Sequence, residues 1–268
     1  MPVILILIVI VIVIVIVFQP LLTTPTPRDT IPDHPTRREN EIVNTRKYFA
    51  EFIGTFTLVF FGTGVATLQG FLDYGDAGYL AICAAFGGTL AVLILTLGPV
   101  SGCHLNPAVT IPMALSGRLN ARLVPGYIVA QFAGAIAASS TLYALLTGIP
   151  GYELGDHGLG ANGNPQDMAV WTIFAFELII TALFVLTIFA TTRPDAAPGF
   201  AVFAISGFLF VAHLLGAPLG GSSLNPARSL GPALFVGGQA LALLWVIFAG
   251  PILGGISGWF LYKFVYKD

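Results

Sequence analysis

Charged residues are scarce in this chain of 268 residues, where lysine, arginine, aspartate and glutamate together make up only 9%. Hydrophobic residues make up 56%, and the mean hydropathy is +0.88. This composition excludes an ordinary soluble domain and indicates a helical protein with several membrane spans. The net charge of −2 gives no reason to expect nucleic acid as a partner.

Cysteine is almost absent, with Cys83 and Cys103 as its two occurrences. Both lie in or beside apolar segments, so we expect free thiols rather than a disulfide. The sequence also lacks a nucleophile–base set and a His, Cys and carboxylate cluster with the spacing of metal ligands. It therefore predicts neither an enzyme nor a cofactor.

Six apolar segments have the length and composition of membrane-spanning helices. We place them near residues 48–70, 79–97, 123–146, 170–191, 200–215 and 241–265.

The basic residues predict the orientation of these spans. If the segment before residue 48 is cytoplasmic, ten of the eleven basic residues fall on the cytoplasmic side, as the positive-inside rule expects. The ten are Arg28, Arg37, Arg38, Arg46, Lys47, Arg118, Arg122, Arg193, Lys263 and Lys267. The outer loops, 71–78 and 147–169, contain neither Lys nor Arg. Six spans return the C-terminus to the cytoplasm.

The triplet Asn-Pro-Ala occurs twice, as Asn106-Pro107-Ala108 and as Asn225-Pro226-Ala227. Asparagine is a preferred N-cap and proline is tolerated at the first helical position, so each triplet predicts the start of a helix. Segments 106–115 and 225–236 are too short to cross about 30 Å of hydrocarbon at about 1.5 Å per residue. We therefore expect two re-entrant half-helices. If each Asn oxygen caps its helix, the amide keeps two N–H donors that could hold one oxygen in a pore.

The two halves of the chain repeat each other, and the two triplets lie 119 residues apart. The motif Glu51-x-x-x-Thr55 in the first span also recurs as Glu177-x-x-x-Thr181 in the fourth. Three spans per half is an odd number, so the repeats must be inverted in the membrane. We place repeat one at 48–146, an extracellular loop at 147–169 and repeat two at 170–268. One half-helix then enters from each face, and the two triplets meet near the midplane.

Over residues 48–266 the sequence resembles the aquaporins, or major intrinsic proteins. The resemblance rests on Ser-Gly-Cys-His-Leu-Asn-Pro-Ala-Val-Thr at 101–110, on Asn-Pro-Ala-Arg-Ser at 225–229 and on the two Glu-x-x-x-Thr motifs. It implies an all-α membrane protein in which six transmembrane helices and two half-helices form a right-handed bundle. It also implies a homotetramer with one pore per subunit, in the plasma or inner membrane.

The resemblance further implies an outer constriction built from four residues that spacing carries over. They are Phe86, His213, Ser222 and Arg228. This set is similar to that of the water-selective bacterial branch. Glycerol-conducting members typically have a smaller residue in place of the His and an Asp after the Arg, where this chain has Ser229. This chain departs from the water-type pattern at Ile247 and Phe248, near which an aromatic residue followed by Trp is usual.

Four further residues are assigned roles around the half-helices. We expect Glu51 and Glu177 to accept hydrogen bonds from the re-entrant loops, and His104 to brace its loop rather than bind a metal. Cys103 lies three residues before the first Asn-Pro-Ala. Many relatives carry a mercurial-reactive cysteine three residues before the second one, so Cys103 is a candidate mercurial site on the cytoplasmic side of the pore.

The predicted mechanism is passive, single-file permeation of water. Asn106 and Asn225 donate to a central water, and the N-termini of the two half-helices disfavour cations and protons. His213 and Arg228 provide donors at the outer constriction, and Phe86 forms its apolar wall. A facilitator for glycerol or another small neutral solute is the nearest alternative. An inverted-repeat secondary transporter, a membrane enzyme and a structural junction protein are the others.

Residues 1–47 form a separate N-terminal region. The apolar run 3–18 is short for a span, and it lacks the basic region and cleavage site of a signal peptide. An additional membrane anchor and a start placed too early are the two interpretations that stay open. The segment 23–45 contains four prolines and is predicted to be a linker.

Overall fold

A computed structural model describes residues 37–73 and 75–266, and the predictions for residues 1–36 lie outside this range. Regular structure in the described residues is entirely helical. Six long helices are α1 (Arg37–Leu72), α2 (Asp76–Ser101), α4 (Val124–Leu146), α6 (Val170–Thr191), α7 (Ala201–Gly216) and α10 (Leu244–Tyr266). The shorter helices are α3 (Pro107–Leu115), α5 (Leu154–His157), α8 (Pro226–Val236) and α9 (Gly238–Ala242). Single 3₁₀ turns precede α4 at Ala121–Leu123 and follow α7 at Ala217–Leu219.

Six helices are long and apolar enough to cross a membrane, which confirms the six predicted spans. Their ends lie within four residues of the predicted positions, apart from the start of α1. α3 and α8 have 9 and 11 residues and coincide with the two predicted half-helices.

The first helix begins at Arg37, so the prediction that residues 37–45 belong to a linker was wrong. The last proline of that segment is Pro35, and residues 37–47 contain neither proline nor glycine. Arginine, glutamate and lysine are good helix formers, so the first span extends backward through this polar stretch.

Each half of the chain packs its first span against its third. In the first half α1 lies along α4, and in the second half α6 lies along α10. Glycines allow both approaches: a Cβ on Gly134 would lie 2.3 Å from the Phe52 carbonyl oxygen, and a Cβ on Gly254 would lie 2.4 Å from that of Leu178. The same contact therefore recurs in the two halves.

Each half-helix packs against a span from the other half of the chain. α3 belongs to the first half and packs on α10 of the second, whereas α8 belongs to the second half and packs on α4 of the first. α2 and α7 close the bundle by packing on each other. This exchange brings the N-termini of α3 and α8 together in the interior of the bundle.

Candidate functional site

The two half-helices begin with the same cap. Asn106 Oδ1 accepts a hydrogen bond from the Ala108 N–H at 2.8 Å. Asn225 Oδ1 accepts one from the Ala227 N–H at 2.9 Å. In both, proline occupies the first helical position, whose missing N–H would have no intrahelical partner in any case.

The caps also bind each other's loop. Asn106 Nδ2 donates to the Leu224 carbonyl oxygen at 2.7 Å, and Asn225 Nδ2 donates to the Leu105 carbonyl oxygen at 2.8 Å. The expectation that each amide keeps two free N–H donors was therefore wrong, because one of the two is used in this exchange. One N–H per asparagine is left for a ligand.

The leucine before each asparagine is held in the left-handed conformation, with φ of 52° at Leu105 and 53° at Leu224. Such a conformation costs a non-glycine residue roughly 1–3 kcal/mol. A buried carboxylate offsets this cost in each half. Glu51 Oε2 accepts the Leu105 N–H at 2.7 Å, and Glu177 Oε2 accepts the Leu224 N–H at 2.9 Å. A hydrogen bond to a charged group contributes roughly 1.5–3 kcal/mol.

Glu51 is the centre of a larger network in the first half. Its Oε1 accepts from the Ser101 hydroxyl at 2.7 Å and from the His104 N–H at 3.0 Å. Its Oε2 accepts from Gln131 Nε2 at 2.7 Å in addition to the Leu105 N–H. Four donors thus converge on one carboxylate. Gln131 was not predicted as a site residue, although a buried amide in the third span is a polar signal.

His104 lies beside the first cap, within hydrogen-bond distance of Thr110 in the first turn of α3. The hydroxyl of Thr110 donates to the Asn106 carbonyl oxygen at 3.0 Å, so it is available as an acceptor. It accepts from Gln131 Nε2 at 2.9 Å, and His104 Nδ1 lies 3.3 Å from it.

The second half supports its loop with hydroxyl groups. Glu177 Oε1 accepts the Ser223 N–H at 2.7 Å. Oγ of Ser223 and Oγ of Ser229 lie 2.6 Å apart, and Ser229 Oγ donates to Asn162 Oδ1 at 2.6 Å. Asn162 comes from the loop before α6, which sequence reasoning treated as a connection only. Its surroundings, Gly-Leu-Gly-Ala-Asn-Gly at 158–163, carry no charge or periodic pattern that could have singled it out.

The structure brings three of the four predicted constriction residues together. The Phe86 and His213 rings stack with centroids 4.1 Å apart, and Arg228 Cζ lies 4.9 Å from the Phe86 centroid. With Asn106 and Asn225, these residues line a cavity of about 30 Å³. Ser222 is not among the residues lining that cavity, and its hydroxyl donates to the Ala212 carbonyl oxygen at 2.7 Å.

His213 lines this cavity, and a hydrogen bond to its own helix fixes the tautomer of the neutral ring. Nδ1 lies 2.9 Å from the Leu209 carbonyl oxygen, which can only accept, so Nδ1 carries the proton. Nε2 has no protein partner among the described residues and bears a lone pair in the neutral ring. The prediction that His213 donates at the outer constriction does not fit this tautomer, because the one N–H of the neutral ring donates to the Leu209 carbonyl oxygen of the same helix.

Arg228 supplies the donors. It lies in the first turn of α8, is 3% exposed and is held from the outer loop. Nη1 donates to the Gly160 carbonyl oxygen at 3.0 Å and to Asn162 Oδ1 at 3.0 Å. Nε has no protein partner among the described residues.

A second, wider cavity of about 300 Å³ lies on the other side of the caps. It is lined mainly by apolar side chains, with Cys103 and His104 near the first cap and Arg118 among the polar exceptions. His104 lines both cavities and therefore marks where they adjoin. Arg118 Nη1 donates to Thr192 Oγ1 at 2.9 Å.

The cysteines differ in their access to this cavity. Cys103 is 8% exposed and lines it, whereas Cys83 in α2 is 0% exposed and does not. Both are free thiols.

Comparison with known proteins identifies one family. The family described as Major intrinsic protein matches residues 38–262. Aquaporin Z of Rhodopseudomonas palustris is 40% identical over 225 residues, which cover 82% of this chain and 93% of that protein. Aquaporin Z of Bradyrhizobium diazoefficiens is 38% identical over 230 residues, covering 84% and 95%. The crystal structure of the aquaglyceroporin from Plasmodium falciparum is similar with a TM-score of 0.72 and 25% identity, covering 83% of this chain and 97% of the other.

Proposed function

Because the chain belongs to the major intrinsic protein family, we propose that it is a passive channel that conducts water in single file and excludes ions and protons. The observation that carries the proposal is the cavity of about 30 Å³ between the two caps and Arg228. A cavity needs a volume of about 10–15 Å³ to hold one water. A cavity of about 30 Å³ therefore suits a short file of water molecules. It is bounded by groups that can donate to water and accept from it.

The caps provide the centre of the proposed path. Asn106 and Asn225 each retain one N–H, and a water oxygen can accept both. α3 and α8 direct their N-termini at the same region, and each contributes the equivalent of about +0.5 elementary charge. A cation that has lost its hydration shell there meets positive potential on both sides. Arg228 adds a full positive charge at the outer constriction.

The outer constriction supports water over glycerol. Phe86 and His213 stack on each other in its wall, and Arg228 lies over the same phenyl ring. These side chains line a cavity of about 30 Å³, which suits water and is small for a chain of three carbons. The two bacterial relatives with 40% and 38% identity are both named Aquaporin Z. The solved structure that is named an aquaglyceroporin is 25% identical.

Osmotic shrinkage of proteoliposomes, followed by stopped-flow light scattering, tests the proposal. With sucrose outside, we expect faster shrinkage than in protein-free liposomes, at constant pH inside and without a membrane current. With glycerol outside, we expect the same shrinkage and only slow reswelling. Water flux equal to that of protein-free liposomes overturns the proposal, and rapid reswelling in glycerol assigns the chain to the solute facilitators.

The chain is a multi-pass membrane protein, and its surroundings are part of the proposal. Large apolar side chains on the long helices face outward, as contact with lipid and neighbouring subunits requires. The most exposed of them, at 66–84%, are Leu95, Val129, Trp171, Phe203 and Phe264. We propose a homotetramer with one pore per subunit, in the plasma or inner membrane, with the C-terminus in the cytoplasm. Neither a cofactor nor a catalysed reaction is needed.

A further inference from the structure

The two halves support the first turn of their half-helices with different elements. Thr110 and Ser229 each lie four residues after the asparagine of their triplet. Thr110 accepts a hydrogen bond from the amide of Gln131, which lies in α4. At an offset of 120 residues, the counterpart of Gln131 in the second half is Pro251, which carries no amide. The third span of the second half therefore cannot repeat this contact.

Asn162 provides the missing amide from the outer loop. Its Oδ1 accepts from Ser229 Oγ at 2.6 Å and from Arg228 Nη1 at 3.0 Å, and its Nδ2 donates to the Gly221 carbonyl oxygen at 2.7 Å. The orientation of the amide follows from its partners, because a guanidinium only donates and a carbonyl only accepts. The side chain is 5% exposed, so water does not replace these contacts readily.

The two amides are turned in opposite directions by the charge they meet. Gln131 directs its NH2 at the Glu51 carboxylate and at Thr110. Asn162 directs its oxygen at the Arg228 guanidinium and at Ser229. Each amide links a buried charge to the hydroxyl in the first turn of a half-helix.

We propose that Asn162 is a positioning residue of the outer constriction: it holds the Arg228 guanidinium against the loop and so keeps the water path open. This inference rests on the proposed function. In the described residues the Arg228 guanidinium has two hydrogen-bond acceptors, the backbone carbonyl of Gly160 and the side chain of Asn162. Without Asn162 one of them is left, and the freed N–H turns to water in the path. The cavity of about 30 Å³ has no room for both a mobile guanidinium and a file of water.

Osmotic water permeability per folded channel tests this role in four variants. Asn162→Ala is expected to lower it several-fold. Asn164→Ala is the matched control, since Asn164 lies in the same loop and bonds the Met168 backbone instead; it should conduct like the wild type. In Arg228→Ala the positioned group is gone, so adding Asn162→Ala should change the permeability no further.

Size-exclusion chromatography and thermal unfolding of each purified variant separate loss of conduction from loss of fold. Equal conduction by Asn162→Ala and wild type overturns the proposal, and so does an equal loss in Asn164→Ala. A similar fold-decrease when Asn162→Ala is added to Arg228→Ala shows that Asn162 does not act through the arginine. If the wild type itself conducts no water, the proposed function fails first, whatever the variants do.

Discussion

The loops that precede the two half-helices share a backbone and differ in the side chains that support it. Both place a leucine at positive φ, an asparagine as N-cap and a carboxylate behind the leucine. In the described residues, Glu51 accepts four hydrogen bonds, whereas Glu177 accepts two. The first loop is therefore held by a carboxylate network inside the bundle, and the second shares its support with the outer loop that also holds Arg228.

The cavities on the two sides of the caps also differ, in volume and in the residues that line them. The cavity beside the first loop measures about 300 Å³ and is mostly apolar, and the one beside the second measures about 30 Å³ and is lined by Arg228 close to the caps. A loop that faces a wide cavity needs only to hold its own shape. A loop that carries the constriction must also hold a charged side chain in place, which requires partners from elsewhere in the chain.

The largest expected effect is on stability, and it separates the two carboxylates. Glu51→Gln replaces one oxygen with an NH2 group, and each oxygen of Glu51 faces two donors. In Glu177→Gln the replaced oxygen faces one donor in the described structure. Each unsatisfied buried partner costs about 1–3 kcal/mol, so Glu51→Gln should lower folding yield and thermal stability more. Unfolding curves of the purified proteins measure this.

Equal destabilisation by the two substitutions would show that the larger network around Glu51 adds nothing. Full stability with abolished permeation in either variant would instead assign that carboxylate a direct role in transport.

The next largest effect is expected at the cavity of about 30 Å³ that Phe86 and His213 line. His213→Ala removes the ring that stacks on Phe86 and should raise glycerol permeability several-fold while water permeability is kept. Reswelling of proteoliposomes in glycerol measures it, and Leu215→Ala provides a control because Leu215 is 62% exposed on the same helix. Unchanged glycerol flux in a folded His213→Ala protein would place the limiting constriction elsewhere.

A smaller effect is expected from chemical modification of a cysteine in the cavity of about 300 Å³. A membrane-permeant mercurial should slow water flux by binding Cys103 in the cavity of about 300 Å³. Cys103→Ser should abolish the inhibition and Cys83→Ser should not, since Cys83 is 0% exposed. Inhibition that persists in Cys103→Ser, or is absent from the wild type at saturating reagent, would show that Cys103 does not face the water path.

Of these changes, removal of residues 1–36 should have the smallest effect on water permeability. All constriction and cap residues lie beyond residue 48, and the family match begins at residue 38. Water permeability of the truncated, correctly inserted protein should therefore equal that of the full chain. A loss of conduction would make the N-terminal region part of the working channel.

Local sequence predicted the elements of this fold well, because spans follow from hydropathy and the half-helices follow from Asn-Pro caps. The error at Arg37 arose because a polar helix extension has no apolar pattern to reveal it. The contacts around the site were less predictable. Asn162 and Arg228 are 66 residues apart, and the hydrogen bonds of the caps join residues 118 and 120 apart. Partners that distant leave no local signature.

The reciprocal bonds between the caps also constrain how the protein is made. When a ribosome has released the first half, the Leu105 carbonyl still lacks its donor, and the surface of α3 lacks α10, which is the last helix described. The interior of each half is therefore completed by residues of the other half. We therefore expect the region around the two caps to become complete only after the second half of the chain has been inserted.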